Sequence, residues 1–283
     1  MRAFDEFVHM DQSFWAFIKF ISENLGYADR GSGTVRHYSY EDIYDLCCDT
    51  STSADNRLIE AAVTYLNMRA DFLNNYVQGA LMTAEEASLE YAEWEQLHRL
   101  YAYSCKLPLN KQKGDMKQVA FFTAIINIIA ERTIREITGN VGERGFDDDP
   151  RGLSFIWDDD GYIVGGLSRR FDGAYPSIRN PRLVWEIKEY YYATTFGSRV
   201  ADGVYETQLD GYEFKDLFDR TGMKVYHVLF VDAYRTWWIQ GKSYLCRLID
   251  ALNAGLVDEV IFGREVLTRW PDLIREIVLS EYQ

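Results

Sequence analysis

Phe171-Asp-Gly-Ala-Tyr175, Leu183-Val-Trp-Glu-Ile-Lys-Glu189 and Glu206-Thr-Gln-Leu-Asp-Gly-Tyr212 are the three pieces of sequence around which the chain is organised. The middle piece has the composition of a buried strand, since Leu183, Val184, Trp185 and Ile187 are apolar. Alternate side chains of a strand point to opposite faces. Val184, Glu186 and Lys188 therefore share one face, and Leu183, Trp185 and Ile187 share the other. Two charges on an otherwise apolar strand cost desolvation energy unless something compensates them. A divalent cation held by Glu186 and Asp172 would do so. Asp172 lies 14 residues upstream, enough for one strand to turn and return as the next.

Outward from this stretch, the C-terminal half alternates strand and helix patterns. Gln118–Thr138 reads as a strongly apolar helix ended by Gly139. Leu153–Trp157 and Tyr162–Phe171 read as strands joined by a turn at Asp158-Asp-Asp-Gly161. Arg199–Phe218 has a helical pattern in which Gln208 and Tyr212 are one turn apart. Lys224–Val231 is a nearly continuous apolar run, as expected of a central strand covered on both faces. Gly241–Leu256 as helix, Asp258–Phe262 as strand and Gly263–Leu279 as helix complete the order. The fold class expected is α/β, a mixed central sheet flanked by helices.

The N-terminal part reads differently. Residues 4–25 place Phe4, Phe7, Phe14, Trp15, Ile18 and Ile21 at helical spacings, with a break near Met10. Helices are also expected at Tyr40–Cys48 and Asp55–Tyr76. Another should start at the capping box Thr83-Ala-Glu-Glu86 and run to about Tyr103. The Lys-rich segment 106–117, with Pro108 and Gly114, divides a helical region, 1–115, from an α/β region, 116–283.

Composition narrows the function classes. A net charge of −14 argues against a protein that coats nucleic acid nonspecifically, because Lys and Arg drive phosphate binding. A locally basic groove remains compatible with it. Lys106, Lys111, Lys113 and Lys117 form one basic stretch, and Arg169, Arg170, Arg179 and Arg182 another; each is also readable as solvated surface, the Lys run equally so. The 20 Tyr, 16 Phe and 7 Trp are first of all core material, and only then stacking platforms for bases. The four cysteines lack zinc-site spacing, and no signal peptide is evident, which points to a reducing cytoplasm. The longest apolar run, Val119–Ala130, is too short for a bilayer.

The spacing Asp172…Glu186-Ile187-Lys188, on its apolar strand, resembles the PD-(D/E)XK nuclease superfamily over roughly residues 116–263. Gln208-Leu-Asp-Gly-Tyr212 resembles the Gln-x-x-x-Tyr motif of one branch, typified by recombination exonucleases. The resemblance implies a restriction-endonuclease-like core and a site holding Mg²⁺, with Mn²⁺ as a substitute. Asp172 and Glu186 would supply carboxylates and Ile187 its carbonyl. Lys188 would orient or deprotonate water, or neutralise the transition state. Gln208 and Tyr212 would hold substrate phosphate beside the metal. Glu131 sits where the first core helix often donates a further carboxylate, although pairing with Arg135 at i, i+4 explains it equally well. Arg170, Arg199, Tyr190, Lys111 and Lys113 are candidates for substrate contact.

The expected activity is that of a metal-dependent DNA endonuclease. A homodimer and a role in restriction or phage defence are implied by the resemblance alone. An exonuclease or helicase-associated module, an RNA-processing nuclease and a non-catalytic nucleic-acid-binding protein stand as alternatives, because a fold does not fix its substrate. With no metal, Asp172 would cap a turn, Glu186 and Lys188 would form a structural pair, and Gln208 would be an ordinary helical residue.

Overall fold

A computed structural model describes residues 1–29, 31–110, 118–140, 144–192 and 198–280. The helices of the first part are α1 (Gln12–Leu25), α2 (Tyr40–Asp49), α3 (Asn56–Phe72), a single turn α4 (Gln78–Ala80) and α5 (Ala84–Leu100). A π-helical turn, Leu73–Val77, joins α3 to α4. The second part runs α6 (Phe121–Thr138), β1 (Phe155–Trp157), β2 (Ile163–Gly166), β3 (Gly173–Tyr175), β4 (Leu183–Glu189), α7 (Ser198–Thr221), β5 (Tyr226–Asp232), α8 (Lys242–Asn253), β6 (Glu259–Phe262) and α9 (Arg269–Leu279).

Local chemistry sets the helix starts. Asp11 accepts from the Phe14 N–H at 3.0 Å, which places the break expected near Met10. Asp55 accepts from Leu58 N–H at 2.8 Å. At α5, Thr83 Oγ1 accepts from Glu86 N–H and the Glu86 carboxylate accepts from Thr83 N–H, a closed capping box.

The main sheet has the order β3-β4-β5-β6, with β3 antiparallel to β4 and the other pairs parallel. Parallel neighbours need crossovers, and α7 and α8 supply them. Side-chain alternation divides the core by face. Leu183, Trp185, Val228, Phe230 and Ile261 pack with α6 and α9. Leu229, Val231, Val260 and Phe262 pack with α3, α7 and α8. The architecture is therefore mixed α/β with helices on both sheet faces.

The strand expected over 162–171 is shorter. Ile163–Gly166 pairs with β1 as a separate two-stranded hairpin, and the chain then crosses to β3. The turn at its tip forms as expected, with Gly161 N–H donating to the Asp158 carbonyl at 3.1 Å. The last helix is also shorter at its start, because a 3₁₀ turn over Gly263–Leu267 precedes α9.

In the helical part, Tyr65 is the hub of an aromatic core, with the rings of Phe4, Phe7, Phe14 and Trp15 at 6.5, 5.1, 6.0 and 5.0 Å. Much of the aromatic content is thus spent on packing. One buried ion pair ties this part to the sheet domain. Arg69, with no exposed surface, donates from Nη1 to both oxygens of Asp250 on α8 at 2.9 and 3.0 Å. Tyr65 Oη donates to Asp250 Oδ1 at 2.7 Å.

Candidate functional site

The antiparallel register pairs Gly173 with Trp185. The Asp172 N–H donates to the carbonyl of Trp185, the residue already paired with Gly173, at 3.0 Å, so the regular register ends at Gly173 and Asp172 folds in beside it. Asp172 Oδ2 accepts from Ile187 N–H at 2.8 Å, which holds the carboxylate against the stretch between Glu186 and Lys188. Gly173 is required here: a Cβ would meet the Trp185 indole at 2.0 Å, so a side chain would push β3 off β4.

Glu186 and Lys188 point to the same side of β4, as alternation requires. Lys188 Nζ donates to Glu186 Oε1 at 2.8 Å, and Arg169 Nη2 donates to the same oxygen at 2.7 Å. Glu206, on α7, bridges the two cations from the other side: its Oε2 lies 3.1 Å from Lys188 Nζ and 3.4 Å from Arg169 Nη2. Arg169 Nη1 donates to Asp210 Oδ2, one helical turn beyond Glu206, at 3.0 Å. The result is a ring of alternating charge, Glu186–Lys188–Glu206–Arg169, backed by Asp210. Gly203 leaves room for it, since a Cβ there would meet Lys188 Cε at 3.2 Å and Tyr190 Oη at 3.1 Å.

The electrostatics follow from burial and pairing. Burial works against the charge of Lys188, but the adjacent Glu186 carboxylate outweighs it and the amine's pKa is raised. Burial pushes Asp210 up to about 7, against the pull of Arg169. Glu186 Oε2 and Asp210 Oδ1 are buried with no hydrogen-bond partner among the described residues. Unpaired buried carboxylate oxygens are costly.

Among the described residues, no group of three or more His, Cys, Asp and Glu side chains could hold a metal ion. Mg²⁺ does not need one, because it usually keeps several waters and binds through one or two carboxylates plus substrate phosphate. The cluster carries the acids Asp172, Glu186, Glu206 and Asp210 against the cations Arg169 and Lys188, an excess of negative charge around the orphaned Glu186 Oε2. The unpartnered Glu186 Oε2 is an oxygen donor with capacity left for a cation.

Other expected site residues fall elsewhere. Glu131 lies behind the sheet, on α6, which packs against the Trp185 face. Its carboxylate is fully engaged: it accepts from Ser104 N–H at 2.8 and 2.9 Å, from Cys105 N–H at 2.6 Å and from Arg135. These amide bonds overcome burial and lower its pKa. Glu131 is an anchor for the Ser104–Cys105 segment and is corrected as a metal ligand; the Arg135 pair holds, although inside the protein.

Gln208 and Tyr212 are not at the carboxylates either. Two residues of helix are about 200° of rotation, so when Glu206 and Asp210 face the sheet, Gln208 and Tyr212 face away. They line a separate small cleft with Gln12, Trp15 and Lys19 of α1. Tyr190 is at the site: its ring stacks on Trp237 at 5.7 Å and its hydroxyl donates to the Arg199 carbonyl at 3.3 Å. Arg170 and Arg199 expose their side chains nearby in the chain. Lys111 and Lys113 lie outside the described residues. Lys106 pairs with Asp149 at 3.3 Å.

Arg169 was legible only as one of four arginines, and Glu206 and Asp210 not at all. The available signal was their i, i+4 spacing on the same helical face as Gly203 and Thr207, a polar face where a core-packed helix should be apolar.

The chain belongs to the family described as a domain of unknown function, DUF7687, which matches residues 82–277. Residues 1–76 match a second domain of unknown function, DUF7690. The two matches part ahead of α5, which packs on α6 in the core of the sheet domain. No curated protein and no solved structure matches the chain. Among the described residues, no helix is long and apolar enough to cross a membrane.

Proposed function

We propose that the protein is a Mg²⁺-dependent nuclease acting on DNA, and that β3-β4-β5-β6 with α6 and α7 is a restriction-endonuclease-like core of the PD-(D/E)XK type. One observation supports this: the Asp172 carboxylate is bonded to the Ile187 amide, between Glu186 and Lys188, which pair on one face of β4 with a buried Glu186 oxygen left unpartnered. Asp172, Glu186 and the Ile187 carbonyl would hold the ion. When bound, Mg²⁺ supplies charge stabilisation to the phosphoryl oxygens and acidifies a coordinated water. Lys188, with its pKa raised, serves as a fixed cation that orients the water and neutralises charge developing at phosphorus. Arg169 keeps Glu186 in place through Oε1 and leaves Oε2 open. The position of Gln208 and Tyr212 lends no support to the exonuclease-like branch, so endonucleolytic cutting comes first.

A second reading has its own support. Every cation of the ring is engaged by carboxylates, as in a purely structural charge network on a non-catalytic binding protein. Purified protein incubated with supercoiled plasmid, linear duplex and single strands, with Mg²⁺ or EDTA, separates the two. Asp172→Ala, Glu186→Ala and Lys188→Ala should each abolish Mg²⁺-dependent cleavage, with circular dichroism unchanged. Wild-type protein inert on all three substrates, or full cleavage by all three variants, refutes the nuclease.

A further inference from the structure

Glu206 differs from the other members of the ring. Its side chain is 45% exposed, whereas those of Arg169, Glu186 and Lys188 are 21%, 9% and 5% exposed. It closes the ring on the solvent side. Its contacts to Lys188 and Arg169, 3.1 and 3.4 Å, are longer than the 2.8 and 2.7 Å contacts those cations make to Glu186. Glu206 is the water-exposed partner in both contacts, so they are screened and cost less to break than the buried contacts behind them. The cations it covers are fixed from behind, Lys188 by Glu186 and Arg169 by Glu186 and Asp210. Two immobile donors from two elements, β4 and the loop ahead of β3, thus converge on one replaceable carboxylate oxygen. A phosphodiester oxygen has the same charge and accepts the same hydrogen bonds, and Arg pairs well with phosphate.

We propose that Glu206 holds the place of a nucleic-acid phosphate, and that Arg169 and Lys188 are the pair of donors which receive a backbone phosphodiester once Glu206 swings into solvent. Arg169 is then a substrate-binding residue, and the protein without nucleic acid is self-capped. The inference rests on the nuclease proposal for the identity of the anion, but its test does not need turnover.

The test is fluorescence anisotropy with a labelled duplex oligonucleotide in EDTA at low salt, where no hydrolysis occurs. Glu206→Gln should bind roughly tenfold more tightly than wild type, since the competing charge is gone. Asp202→Asn, an exposed neutralisation one turn earlier on α7, should change affinity less than twofold. Restoring charge with a shorter reach, Glu206→Asp, should fall between Glu206→Gln and wild type. Adding Arg169→Lys to Glu206→Gln should remove most of the gain, with a melting curve establishing that this variant folds. Equal tightening by Asp202→Asn and Glu206→Gln would mean a general charge effect and would overturn the proposal, as would weaker binding by Glu206→Gln. Calorimetry with inorganic phosphate separates the sources of the anion: a gain for free phosphate with none for the duplex also overturns it. Tightening without Mg²⁺-dependent cleavage leaves the phosphate site standing and removes the nuclease; cleavage without tightening does the reverse.

Discussion

Asp250→Ala should be among the most damaging single changes in the protein, although it lies far along the chain from the proposed chemistry. Arg69 has no exposed surface, and both of its contacts to a carboxylate are to Asp250, at 2.9 and 3.0 Å. Without Asp250, the guanidinium keeps the Ser22 hydroxyl at 3.2 Å and the Tyr27 ring at 5.7 Å but no carboxylate among the described residues, and the buried Tyr65 hydroxyl loses the acceptor it has at 2.7 Å. Breaking a buried pair from one side costs about 3–5 kcal/mol, which for a protein of this size lowers the Tm by roughly 10 °C. The pair itself contributes far less than that, because its desolvation offsets its attraction. Arg69→Met combined with Asp250→Leu should therefore recover at least half of the loss. Differential scanning calorimetry of wild type, both single variants and the double variant completes the cycle. The helical part and the sheet domain should also unfold in one transition, since the pair and the shared core join them. A double variant as unstable as Asp250→Ala, or a single variant within about 1 kcal/mol of wild type, would refute the assignment of the cost to a stranded charge.

The remaining expectations concern a second buried carboxyl and the β3–β4 contact. Glu189, at the end of β4, accepts from Thr123 N–H and Oγ1 at 2.9 Å, and burial pushes it from 4.5 up to about 7. A raised carboxyl pKa means the folded protein keeps a proton that the unfolded chain has released. Its contribution is complete below about pH 4.5 and is lost as pH rises through 7. In Glu189→Gln no proton can leave, so the difference in Tm from wild type should move in the variant's favour between pH 5 and pH 8; a pH-independent difference excludes this. Gly173→Ala places a methyl group 2.0 Å from the Trp185 indole, itself packed 5.2 Å from Trp270. It should cost about 1–3 kcal/mol in denaturant melts and abolish cleavage by displacing Asp172; an active variant of wild-type stability would contradict the close approach.

Periodicity and end signals already determined much of this protein. Alternation in Leu183–Glu189 placed Glu186 and Lys188 on one face and Trp185 on the other, because a strand's side-chain period depends on nothing beyond the strand. The capping box at Thr83 and the continuous apolar run of the fifth strand were legible for the same local reason. Even Asp172 was reachable, since an antiparallel return within 14 residues leaves few registers.

What needed the tertiary structure was every question of facing. Glu131 looked like a site acid from its place in the element order, yet α6 packs on the Trp185 face and its carboxylate is used by the Ser104–Cys105 amides. Gln208 and Tyr212 had the spacing of a motif, but the rotation of α7 on the sheet turns Glu206 and Asp210 inward instead. A sequence fixes which residues share a helical face; which face meets the sheet is decided by packing over the whole helix, here with Gly203 close against Lys188 and Gly211 close against the Leu256 backbone after α8. Arg169 was visible as a charge, but its three carboxylate partners come from one strand and one helix that only the folded chain brings together.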